Sequence, residues 1–289
     1  MMRKNTISYH KRKKKFYDLL GNTIVWIFVV LAVFPIIWML VISLMEQGEI
    51  ATGKYGMPNN FQNYYEMWVN INFLKYFRNS FIVCGSTTII ALTIATLAGY
   101  AVARYKFRGS NIFGAAVLAT QMVPGIMFLL PLYLMFIKIQ DTLGIRIINT
   151  FPGMIIVYSA FFIPFSIWIL RGFFASIPVE IEEAAIIDGC SKFGAFMRVV
   201  LPISRVGLIA TGIYIFLMAW DELLFAWVLT TSSEVATIPV GIRLYVGNFQ
   251  NRYDLLMAAG CVTTLPVLII FFTLQKQFIR GMTAGSVKG

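Results

Sequence analysis

The chain has 289 residues, of which 58% are hydrophobic and only 13% charged, against roughly a quarter charged in a soluble domain. Its net charge of +11 does not point to nucleic acid, because the basic residues gather at the ends of apolar runs, as in membrane proteins. Cys84, Cys190 and Cys261 are dispersed and His10 stands alone in a basic tail, which excludes a disulfide framework, a metal-ligand spacing and histidine catalysis.

Six stretches reach the length of about 20 apolar residues that a membrane-spanning helix needs, so the fold class is all-α, a polytopic membrane protein with six transmembrane helices. Residues 1–20 form a basic cytoplasmic segment that orients the chain and attracts anionic lipid. The first transmembrane helix occupies 21–45. Its apolar run, 24–45, is too long for a signal-peptide core and no small-residue cleavage site follows. Residues 46–76, with "EQGEIATGKYGMPNNFQNYYEMW", read as an extracytoplasmic loop with short interfacial helices, the aromatics suiting the headgroup level.

Residues 77–276 form the core transmembrane domain, with apolar runs at 81–103, 112–137, 153–174, 206–229 and 255–274. Neither an internal repeat nor a low-complexity linker interrupts it, so spans two to six read as one bundle with span one around its outside. A tail at 277–289 closes the chain. If even-numbered crossings return to the side of the termini, 17 of the 24 Lys and Arg lie on that side and 7 opposite. The positive-inside rule then puts both termini in the cytoplasm.

The loop at 176–202 contains "EAAIIDGCSKFGAFMRVVLP". Pro178 suits a first helical turn. Glu180, Glu182 and Glu183 sit where a helix dipole favours anions. Ala184, Ala185 and Gly189 allow close approach by another surface. Gly189 is placed to stop this helix and Ser191 to cap the next, in which Phe193, Phe196, Met197 and Val200 fall on one stripe. A helix–turn–helix of this kind is suited to docking in a groove of a soluble partner. An amphipathic helix lying on lipid is the alternative, but three glutamates and Asp188 would repel an anionic leaflet.

The spacing Glu183-Ala184-Ala185, three residues, Gly189, nine residues, Val199-x-Leu201-Pro202 resembles the EAA motif of ATP-binding-cassette importer permeases, with valine where the family usually has isoleucine. "NSFIV", "AGYAVARYKFRG", "IPFSIWILRGFFASIPVEIEEAAIIDG", "VVLPISR", "TIPVGIRL" and "GMTAGSVKG" are together similar to the carbohydrate-importer permeases of the maltose-transporter small-subunit type. The resemblance implies the type I importer (MetI-like) permease fold in a bacterial cytoplasmic membrane. It also implies a heterodimer with a second, longer permease, two copies of an ATPase below, and an extracytoplasmic binding protein that delivers a sugar from above. It assigns Glu183, Ala184, Ala185, Asp188, Gly189, Phe193, Leu201 and Pro202 to the ATPase contact. The tail residues Thr283, Gly285 and Lys288 are expected at the ATPase dimer. No cofactor or metal is expected on this chain; ATP and Mg²⁺ belong to the partner ATPase.

Polar residues inside the spans are the pathway candidates. Gln121 shares span three with Pro124 and Pro131, which reads either as a bend lining a polar passage or as a kink that only helps packing. Trp220, Asp221 and Glu222 lie in the outer half of span five, where charges face a cavity or a partner. They read as a structural or gating contact, or as a direct sugar contact. Tyr133, Tyr158, Trp168 and Tyr214 suit sugar stacking or plain packing. A phosphorylated solute would want Arg or Lys in the passage, and none lies centrally in spans three to six. That favours a neutral sugar over glycerol phosphate in the same superfamily. An ion-coupled transporter would show repeats and midplane ion sites, and an enzyme a catalytic constellation.

Overall fold

The computed structural model describes residues 2–105, 109–248 and 252–284. Every regular element among them is helical, as a chain without water to satisfy its backbone requires. Helix α1 (Met2–Ser43) runs without interruption from the basic segment through span one. The boundary expected near residue 20 is therefore one of composition and not of backbone. Its apolar part, Tyr17–Ser43, has 27 residues. The segment between spans one and two carries short helices, as expected, α2 (Gln47–Thr52) and α3 (Gln62–Asn70). Span two is α4 (Phe73–Arg104).

The third span departs from expectation. It is divided into α5 (Ser110–Ala119) and α6 (Leu129–Leu143), joined by 3-10 turns at Thr120–Met122 and Gly125–Phe128. Span four is α7 (Phe151–Ser176), which opens with Thr150 accepting from the Gly153 amide at 3.2 Å and places Pro152 in its first turn. The loop after span four follows as α8 (Val179–Ile187), α9 (Lys192–Ala195), a π turn at Phe196–Val200 and α10 (Leu201–Ile203). Span five is α11 (Arg205–Trp220), then a break, then α12 (Leu224–Leu229). Helix α13 (Ile238–Asn248) lies in the segment between spans five and six, and α14 (Tyr253–Ala284) is span six. Among the described residues five helices are long and apolar enough to cross a membrane, and a sixth arises if the pair Lys192–Ile203 and Arg205–Trp220, bent by 74°, counts as one.

The chain divides into two compact units, Met1–Met67 with Gln250–Val262, and Trp68–Phe249 with Thr263–Gly289. In the first, the buried Asn63 amide donates to the carbonyls of Ser43 (3.0 Å) and Met45 (2.7 Å), satisfying groups that the end of α1 leaves open. Arg252 pairs with Asp254 at 2.7 Å and Glu66 at 3.1 Å. Its hydrogen bond to Asp254 pushes the guanidinium above its ordinary range.

In the second unit α4, α7 and α11 pack together. A Cβ on Gly99 of α4 would lie 3.1 Å from the Leu170 Cβ and 3.2 Å from the Arg171 backbone nitrogen, and one on Gly207 of α11 would meet the Phe173 ring. Glycine at these positions lets the backbones approach closely. Near the start of α4, Asn79 Nδ2 donates to the carbonyls of Glu234 and Ala236, each at 2.9 Å, and Ser80 Oγ accepts from the Ile238 amide at 2.9 Å. Lys75 pairs with Glu234. The distant strings "NSFIV" and "TIPVGIRL" are thus two halves of one latch.

We expect Gly99→Val to lower stability by about 1–3 kcal/mol through overpacking. Gly85→Ala, with open space around it, should be neutral or better. Thermal unfolding of the detergent-solubilised protein distinguishes them.

Candidate functional site: the loop after span four and the broken spans

Helix α8 begins one residue after Pro178, whose φ of −55° and ψ of 135° place it just outside. The far end is a Schellman motif. The Cys190 amide donates to Ala185 O at 3.0 Å and the Gly189 amide to Ile186 O at 3.0 Å, with Gly189 at φ +93°. That left-handed conformation strains any residue with a Cβ, so the expected stop at Gly189 is realised. Ser191 then caps α9, accepting from the Gly194 amide at 3.0 Å.

The loop sorts its predicted residues into two sets. Glu183, Ala184, Asp188, Gly189, Phe193 and Pro202 are exposed. Ala185 is buried in the chain's own core, and Leu201 packs against the cluster of Tyr100, Phe174, Phe196 and Val200. Those two residues support the loop and do not form its outer face. The expected single stripe is also divided: Phe196 and Val200 point inward, while Phe193 and Met197 stay outside. Ile187 is 85% exposed and Phe193 68% exposed. The outer face therefore presents large apolar side chains bordered by Glu180, Glu183 and Asp188, the composition of an interaction surface.

Sequence reasoning treated Glu182 as a dipole partner, and the structure turns it inward. Tyr100 donates its hydroxyl to Glu182 Oε1, and Arg104 Nε lies 3.0 Å from Glu182 Oε2. The guanidinium N–H is not aligned for a hydrogen bond, so this second contact is coulombic. Helical spacing offered a signal. Glu182 shares a face with Ala185, and Tyr100 and Arg104 share one on α4.

The other predicted residues lie at the two breaks. At the first, Val123 and Pro124 are extended, since Pro124 lacks an amide hydrogen and biases its predecessor away from helix. Pro131 lies in the first turn of α6 and breaks nothing. Gln121 is exposed and donates to Phe161 O at 3.3 Å. At the second break, Glu222 accepts from the amides of Phe225 (3.0 Å) and Ala226 (3.1 Å), which satisfies backbone donors that lipid could not. Asp221 is exposed. Trp220 is 2% exposed, its indole donating to Thr263 O at 3.3 Å and its ring packed against Phe77, Phe81 and Phe216. Tyr158 is buried and its hydroxyl reaches Glu222 O at 3.4 Å.

The two breaks meet across span four. Phe161 lies 4.4 Å from Phe225 and 5.8 Å from Phe128, centroid to centroid, with Gly125 against both Phe161 and Phe225. Tyr133, further along α6, is half-buried. Of the tail candidates, Thr283 falls within α14, while Gly285 and Lys288 lie outside the described residues. Broken helices at membrane depth occur where they line a cavity or are buried in protein, and Gln121 and Asp221 are exposed polar residues at the two breaks.

The geometry has close counterparts. A probable ABC transporter permease protein of Bacillus subtilis is 34% identical over 285 residues, covering 96% of this chain and 92% of the relative. A trehalose/maltose transport system permease protein of Thermococcus litoralis is 32% identical, covering 90% and 93%. A diacetylchitobiose uptake system permease protein of Streptomyces coelicolor is 32% identical, covering 90% and 85%. A chain in the crystal structure of a bacterial ABC transporter involved in the import of alginate superposes with a TM-score of 0.77 at 22% identity, covering 92% of this chain and 98% of that one. The model of the binding-protein-dependent transport system inner membrane component matches residues 91–284, and the chain belongs to that family.

Proposed function

We propose that this chain is a permease subunit of an ATP-binding-cassette importer that carries a sugar or oligosaccharide across the cytoplasmic membrane, both its termini cytoplasmic. ATP hydrolysis takes place in partner subunits, and a binding protein delivers the solute. A second permease completes the pathway. The sugar reading draws on relatives named for trehalose, maltose and diacetylchitobiose transport. No arginine or lysine stands at either break, consistent with a solute that lacks phosphate.

One observation carries the reading. The loop after span four exposes Glu183, Ala184, Ile187, Asp188 and Phe193 on its outer face while its inner residues are built into the core of spans two and four. A partner seated on that face can move the spans without entering the membrane. In this mechanism ATP binding draws two ATPase subunits together, the docked loops follow, and the attached spans rotate so that the pathway opens outward. Hydrolysis resets the cycle. The chain performs no covalent chemistry; its contribution is differential contact with the two states of its partners.

Two experiments test it. Affinity purification from the native membrane should bring down a second permease and an ATPase, and uptake of labelled maltose, trehalose and diacetylchitobiose should require the intact chain. A homo-oligomer with no ATPase would overturn the reading. Replacing Gly189 at φ +93° strains the turn by about 1–2 kcal/mol. Gly189→Asp adds a charged side chain to that strain and is expected to lower transport at least tenfold while ATP is still hydrolysed; Gly189→Ala, which adds the strain alone, should lower it less. Uptake by both variants at the unsubstituted rate would refute the role of the turn.

A further inference from the structure

The two adjacent glutamates of α8 face opposite ways, and they divide two tasks between them. Glu183 is exposed on the outer face, whereas Glu182 is buried. Only Glu182 and Ala185 of the nine residues of α8 are buried, so little apolar contact holds this helix to the membrane domain. Its two connections to the chain are also weak levers. Ile177 and Pro178 are extended at one end, and the Gly189 turn forms the other. A helix held only by those joints would swivel when pushed.

What prevents this is the polar cluster at the inner end of span two. The Tyr100 hydroxyl donates to Glu182 Oε1, and Arg104 Nε stands 3.0 Å from Glu182 Oε2 with side-chain exposures of 8% and 11%. Among the described residues Arg104 Nη2 has no hydrogen-bond partner, so Glu182 is the charge that compensates this buried guanidinium. The Tyr100 ring also lies 4.4 Å from Phe196 and 5.7 Å from Phe174. One residue of span two thus touches both halves of the loop and the end of span four. Buried ion pairs add little net stability, but removing one partner leaves a costly unpaired charge. Such a pair is suited to fixing one arrangement of rigid parts.

The geometry points to Tyr100, Arg104 and Glu182 as positioning residues for energy coupling, a clamp that makes the docking helix and span two move as one body. Glu183 serves partner affinity; Glu182 serves transmission. This rests on the docking reading above, and the two fail in different ways.

The test uses the complete transporter, purified with its partner subunits and binding protein and reconstituted in proteoliposomes. ATPase retained on the membrane subunits and solute moved per ATP are both measured, with radiolabelled maltose, trehalose and diacetylchitobiose as probes. Glu183→Gln is expected to loosen the ATPase. Glu182→Gln and Tyr100→Phe are expected to keep the ATPase attached and to lower solute moved per ATP, by about fivefold or more for Glu182→Gln. In Glu182→Gln/Arg104→Gln no unpaired charge remains, so the loss should be smaller than the two single losses combined. If the unsubstituted chain holds no ATPase, the docking reading fails. If it does, and solute per ATP is unchanged in Glu182→Gln and Tyr100→Phe, the clamp is refuted. Should Glu182→Gln not assemble, Tyr100→Phe, which loses only a hydroxyl, decides alone.

Discussion

A methyl group added at Gly99 of α4 would sit 3.1–3.3 Å from Leu170 Cβ, Arg171 N and Ile167 O of α7, tighter than ordinary contact. That close approach fixes spans two and four as a pair, and much of the second unit follows from it. Helix α11 joins them through Gly207 over the Phe173 ring. The loop leaving α7 then lies against the inner end of α4, where Tyr100, Phe174, Phe196 and Val200 form one buried cluster. In a membrane, where lipid tails are as apolar as leucine, such backbone proximity and dispersion contact carry helix association.

A second constraint is the backbone itself. Spans three and five are interrupted, yet a bare amide or carbonyl in hydrocarbon costs several kcal/mol. The sequence places the remedy beside each gap: Glu222 takes the amides of Phe225 and Ala226, and Pro124 carries no amide hydrogen. The aromatic contact of Phe128, Phe161 and Phe225 then brings the two breaks together at span four.

The fold was largely legible because its signals are local. Apolar length located the spans, and Pro178, Gly189 and Ser191 marked the loop helices to within a residue, since caps and left-handed turns are written in single residue types. The break of span three at Pro124 was half visible; that Pro131 would be harmless depended on where the next helix began. The inward turn of Glu182 and Ala185 and the burial of Trp220 were not read, because facing is decided by partners remote in sequence. The latch of Asn79 and Ser80 on residues 234–238 joins segments more than 150 residues apart, and the sequence displays each without displaying the bond.

The central claim is that the outer face of the cytoplasmic loop is the seat of an ATPase. The most direct measurement places a photo-activatable cross-linker at Ile187, 85% exposed, in the chain as it stands in its native membrane, and identifies what it captures with and without ATP. Capture of one nucleotide-binding subunit, lost when Glu183 and Phe193 are replaced by alanine, is the predicted result. Adducts with lipid alone, or with no protein beyond a second copy of this chain, would contradict the account.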